Sequence, residues 1–120
     1  MNQNSKLNSL IECELQYFKP NEIREAFLRV CVEAYKIVES WGYSDELHPC
    51  WIIANDEKFQ LVYCSTGFGP SFSWGHQLRG ATDLGMDSCW DAYLFEAFIN
   101  SGMWTGETPE GFMSAILGFL

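Results

Sequence analysis

A chain of 120 residues, 48% hydrophobic and 16% aromatic, has the size of one domain and is too apolar to remain disordered. Folding of a chain this long buries roughly two thirds of the surface its unfolded form exposes, enough for a core without metal or disulfide staples. The formal charge of −9 repels phosphate backbones and anionic lipid, which argues against nucleic-acid and membrane binding, and no apolar run approaches the ~20 residues of a spanning helix.

In chain order, Leu7, Leu10, Ile11, Leu15 and Phe18 recur at helical spacing, and Pro20 turns Lys19 toward extended geometry, so the first helix should end near Phe18. Its start is open between a capping box of Ser9 with Glu12 and a cap at Ser5. The stripe Ile23, Phe27, Val30, Ala34, Ile37, Val38 and Trp41 predicts an amphipathic helix over 22–41, with acids in its first turn and Gly42 after its end. Two apolar, partly β-branched runs within 50–64, split by Asn55, Asp56, Glu57 and Lys58, read as an antiparallel hairpin.

Segment 65–85 carries five glycines and Pro70 and reads as loop, with one short strand over 72–79 as the alternative. Asp87, Ser88 or Asp91 should cap a helix bearing Tyr93, Leu94, Ala97 and Phe98 and closing at Gly102, unless Trp90 ends a short strand and leaves Asp91 as the cap. Thr108 and Pro109 open a last short helix over 109–120. The expected class is α+β in a single domain, 1–120: N-terminal helices packed on a small antiparallel sheet, made of the 50–64 hairpin plus one or two short strands, with C-terminal helices.

Five cysteines, Cys13, Cys31, Cys50, Cys64 and Cys89, include no C-x-x-C pair, and residues 1–8 are polar, so the expected setting is the cytoplasm with thiols reduced. No catalytic, metal or cofactor motif is present. His48 and Cys50 lie at a spacing foreign to zinc knuckles, and Pro70 removes an amide from the Gly67-Phe68-Gly69 stretch that a phosphate loop would need. A Cys–His nucleophile ranks below inert core thiols.

Charge is unevenly distributed. Residues 1–79 hold ten acids and all seven bases, whereas 80–120 hold Asp83, Asp87, Asp91, Glu96, Glu107 and Glu110 with no Lys or Arg. Such a field attracts cationic partners and speeds their capture. Nineteen aromatic residues, nine Phe, five Trp and five Tyr, exceed what one small core holds, so some rings should reach the surface as contact points. Phe72, Trp74, Asp83, Asp87, Trp90, Asp91 and Glu96 are therefore the candidate partner-binding residues.

The run Gly85-Met86-Asp87-Ser88-Cys89-Trp90, followed by Leu94-Phe95-Glu96-Ala97-Phe98 and Ser101-Gly102-Met103-Trp104, resembles a pattern in small bacterial proteins. In general shape the chain resembles the cytosolic immunity proteins that neutralise toxins of contact-dependent or polymorphic systems: small, acidic, α+β and free of catalytic motifs. The resemblance implies a non-enzymatic protein that occludes a basic partner such as a toxin nuclease. Two alternatives stand beside it: a small enzyme or ligand-binding domain using an aromatic pocket of Phe68, Phe72, Trp74 and His76, or an oligomer-forming subunit, dimeric through 112–120.

Overall fold

The computed structural model describes residues 3–41 and 45–107. Gly42 and the expected helix and dimer contact over 108–120 lie outside the described residues. Helix α1 spans Gln3–Leu15, and Leu7 and Ile11, four apart, turn one buried face inward. Ser5 and Ser9 both fall inside it, and the Ser9 hydroxyl donates back to the Ser5 carbonyl at 3.2 Å, so neither residue caps this helix. A turn through Tyr17 and Phe18 leads to α2, Asn21–Val30, whose Ile23 and Phe27 are fully buried.

The helix predicted over 22–41 is the main correction. It stops at Val30, and Cys31–Ser40 form strand β1. Cys31 already has extended backbone (φ −66°, ψ 137°), and the chain that follows carries Val32, Tyr35, Ile37 and Val38, side chains that are stiff or bulky at Cβ and suit a pleated surface.

The hairpin is present as β2, Leu47–Asn55, and β3, Phe59–Tyr63. Asp56 makes its turn: one carboxylate oxygen accepts the amides of Lys58 and Phe59, both at 2.8 Å. Within 65–85 the strand alternative is found, as β4, Trp74–Leu78. A 3₁₀ turn at Asp87–Cys89 runs into the two-residue β5, Trp90–Asp91, and α3 covers Leu94–Asn100.

The five strands form one antiparallel meander in the order β1-β2-β3-β4-β5, which with three helices among the described residues makes an α+β fold. Residues alternate between two covered faces. One face sends Ile53, Leu61 and Trp74 into a core with Ile23, Phe27 and Phe98 of the helices. The other sends Cys50, Ile52, Val62, Cys64 and Trp90 toward Leu84 and Phe68 of the connecting loops. The sheet curls until the 82–84 segment joins the end of β1, where Ser40 donates to the Thr82 carbonyl and accepts from the Leu84 amide, each at 2.9 Å. No described helix is long and apolar enough to cross a membrane.

Candidate functional site

The residues expected to bind a partner do not share one surface. Trp74 and Trp90, read as surface rings, are both interior, at 5% and 4% exposure. Trp74 packs on Tyr63 on the helix side, ring centroids 4.9 Å apart. Trp90 faces the loop side, and its indole donates to the Leu84 carbonyl at 2.8 Å. The cause is Gly75 beneath it: a Cβ there would sit 2.8 Å from the Trp90 ring, so glycine alone lets the indole lie on β4.

Asp83 is committed to structure, with one carboxylate oxygen on the Gly85 amide at 2.8 Å and the other taking the Ser40 hydroxyl at 3.4 Å. Phe72 and Asp87 are exposed. The aromatic pocket does not assemble either. Phe68 stands on the loop side against Trp41 and Trp90, with centroids 6.0 Å away in both cases. Trp74 stands on the opposite face, and His76 follows it two residues on along β4. Burial lowers the pKa of that imidazole.

Asp91 and Glu96 do come together, and α1 adds to them. None of Asp87, Ser88 and Asp91 caps α3; the Tyr93 amide donates to Glu96 at 3.2 Å, and the Leu94 amide donates to Glu14 at 2.9 Å across 80 residues of chain. A helix N-terminus left with orphan donors favours carboxylates in this position. Tyr17 comes with Glu14, and its ring meets Tyr93 edge-on at 5.2 Å. Both rings are 46% exposed.

The carboxyl groups here hold their protons more tightly than usual. Asp91 is pushed up to about 6, first by burial and then by the charge of Glu96, against the hydrogen bond from Asn100. Glu96 is raised by burial and by Glu14, against the hydrogen bond from the Tyr93 amide. Among the described residues the only ion pair is His48 with Glu46, so no Lys or Arg neutralises these acids. A cation brought by a partner would remove the repulsion.

Sequence reasoning missed Glu14, Tyr17 and Tyr93. Glu14 sits on a helix read only for its apolar stripe and Tyr17 in the turn after it, and nothing local links them to residue 93. Among the described residues no group of three or more His, Cys, Asp or Glu is placed to hold a metal ion. Comparison with protein-family models, curated proteins and solved structures finds no match.

Proposed function

We propose that this protein binds a basic protein partner through the surface formed by Tyr17, Tyr93, Glu14, Asp91 and Glu96, in the manner of an immunity protein that occludes a toxin such as a nuclease. The observation that carries the reading is the half-exposed Tyr17–Tyr93 pair set among three acids with no Lys or Arg in an ion pair. Tyrosine supplies a rigid, amphipathic contact at small entropic cost. The acids steer a cationic partner inward and raise its association rate. Phe72, exposed at 50%, and Asp87 belong to this reading only as outlying contacts.

The test is affinity capture from the native host with the unaltered chain and with a Tyr17→Ala, Tyr93→Ala double variant. A basic polypeptide held by the first and lost from the second is the expected result, with association slowing as salt rises. Binding should also weaken as pH falls from 7 to 5. A partner's cation favours ionised Asp91, so association releases protons where that carboxyl is still protonated. Equal capture by both proteins, or association indifferent to salt, would remove this surface from consideration.

A further inference from the structure

On the loop side of the sheet two thiols face each other. Trp51 pairs with Tyr63 across β2 and β3, and one step further along that ladder sets Cys50 opposite Cys64, about 4.5–5.5 Å between Cα atoms as for any directly opposed antiparallel pair, a separation a disulfide can span. Both residues are fully buried, the Cys50 thiol donates to the His48 carbonyl at 3.5 Å, and the two thiols lie close enough that each shifts the other's ionisation. All five cysteines are free.

Cys64 also stands at the end of a relay that reaches the surface. Its sulfur lies 3.5 Å from the Thr66 hydroxyl, which lies 2.8 Å from Nδ1 of His48, and Nε2 of His48 lies 3.0 Å from Glu46. The tautomer follows from one contact. The Gly67 amide donates to Nδ1 at 3.2 Å, and an amide can only donate, so Nδ1 is the bare nitrogen and Nε2–H points at Glu46. The hydroxyl proton of Thr66 then belongs to Nδ1, which leaves the oxygen lone pairs facing the Cys64 thiol.

Its neighbours favour the ionised sulfur. Cys50 first, then the Thr66 hydroxyl, which turns to the sulfur once the Cys64 proton has moved on, and the amides of Thr66 and Gly67 pull its pKa down to about 5 against burial, while the contact between the two thiols drives Cys50 up. The ionisable groups facing the thiols from neighbouring elements are Glu39 on β1 and His48 on β2, with Asp83 beyond Glu39 and Glu46 behind the imidazole. A cavity of about 70 Å³ adjoins the relay, lined by Trp41, Glu46, His48, Gly67, Phe68 and Leu84, with the Cys64 sulfur behind Gly67 rather than on its wall. Gly67 is its floor: a Cβ there would stand 3.6 Å from the Cys64 sulfur and 2.8 Å from Leu84. A water's share of liquid is about 30 Å³, so the cavity admits hydrogen peroxide and excludes bulky thiol reagents.

We propose that Cys64 and Cys50 form a peroxide-reactive dithiol, in which Cys64 attacks a small hydroperoxide that reaches it from this cavity past Gly67 and Cys50 closes a disulfide. The Cys64 proton passes through Thr66 to Nδ1 of His48. The thiolate attacks one peroxide oxygen, an S–O bond forms, the O–O bond breaks, and the departing hydroxide takes the proton from His48 to leave as water. Cys50 then attacks the Cys64 sulfenic acid. The S–S bond forms, S–OH breaks, and that hydroxide leaves as a second water with the Cys50 proton. Two thiols are oxidised by two electrons and one peroxide is reduced to two waters.

The intact, reduced protein is treated with hydrogen peroxide at pH 6 to 8 and the rate followed at each cysteine by mass spectrometry, with exposed Cys13 as the internal standard. The expected product is a monomer about 2 Da lighter whose Cys50 and Cys64 peptides are linked. At pH 6 Cys64 should outpace Cys13 by about tenfold or more, because an ordinary thiol has then lost nearly all its thiolate. Cys50→Ser should stop at a sulfenic acid that dimedone traps on Cys64, and His48→Gln should slow the first step by about tenfold or more. Oxidation confined to Cys13, a product linked between chains, or a Cys64 rate that follows the pH profile of Cys13 in the unaltered protein overturns the proposal, whatever becomes of the variants.

Discussion

The two faces of the sheet are covered by different kinds of chain, and their cores differ accordingly. Helices on one face satisfy their own backbone groups, so the core beneath them is apolar: Ile23, Phe27, Ile53, Leu61 and Phe98 are fully buried there. Loops on the other face bring backbone amides with no ladder to join, and a buried amide without a partner is costly. Side chains of the sheet and its connections therefore supply the partners. Gln60 accepts the Gly80 amide at 3.0 Å, His48 that of Gly67 and Asp83 that of Gly85. Gln77 ties the set together, donating to Glu39 at 2.6 Å and accepting from Gln60 at 2.9 Å. Polar residues stand in the second core because loops, unlike helices, arrive with unmet hydrogen bonds.

That contrast can be broken from either side. The largest effect belongs to the helix face, where Phe27 and Phe98 meet edge-on at 5.6 Å. Truncating either to Ala should cost ~3–5 kcal/mol in urea unfolding, through lost burial and a cavity the helices cannot close. A cost below about 1 kcal/mol would mean that this core is not close-packed. Next comes Gly75→Ala, whose new methyl meets the Trp90 ring; a loss of ~1–3 kcal/mol with a changed near-ultraviolet spectrum is expected, because Trp90 has the Leu84 carbonyl as its anchor.

Glu39 sharpens the comparison from the loop face. Its residue is fully buried, and one carboxyl oxygen has no hydrogen-bond partner among the described residues. Burial, opposed by the Gln77 contact and reinforced by Cys64 and Asp83, pushes the carboxyl up to about 7. A group whose pKa is higher folded than unfolded favours folding while protonated in both states, and that benefit fades as pH rises from about 4.5 toward 7. Glu39→Gln keeps the acceptor for Gln77 and never acquires the charge. Relative to the unaltered chain it should therefore gain on the order of 1–2 kcal/mol at pH 8 and little at pH 5; a difference flat in pH would show that the charge is compensated. The smallest effect on stability is expected at Tyr93→Ala, within about 0.5 kcal/mol, since the ring is half exposed and its value lies in partner contact.

How much of this the sequence carried depends on whether the signal was local. The hairpin was legible because Asn55, Asp56, Glu57 and Lys58 separate two strand-like runs, and Asp56 does form the turn. Strand β1 was concealed. Its pairing skips between Cys31 opposite Ala54 and Tyr35 opposite Ile52, and this bulge interrupts the twofold alternation so that Val30, Ala34, Ile37 and Trp41 fall at helical spacing. The run of β-branched residues was the better guide. Exposure of Trp74 and Trp90 was misjudged because the room for Trp90 comes from Gly75, a cross-strand neighbour that a linear reading does not weigh. Asp91 and Glu96 were found through charge, whereas Glu14, Tyr17 and Tyr93 became a surface only when α1 met α3.

The joining of residues 82–84 to Ser40 also bears on how the molecule avoids its own kind. An open sheet ends in two rows of unmet amides and carbonyls on which a second chain can polymerise. Here one border is short, made of the two residues of β5 and residues 76–78 of β4 beyond them. The other is bulged near its start, carries exposed Glu33 and Lys36 along its length, and is already occupied at its end. Neither border offers a long, flat, uncharged template, so a chain with this much β-branched and aromatic content has little foothold for fibrous assembly.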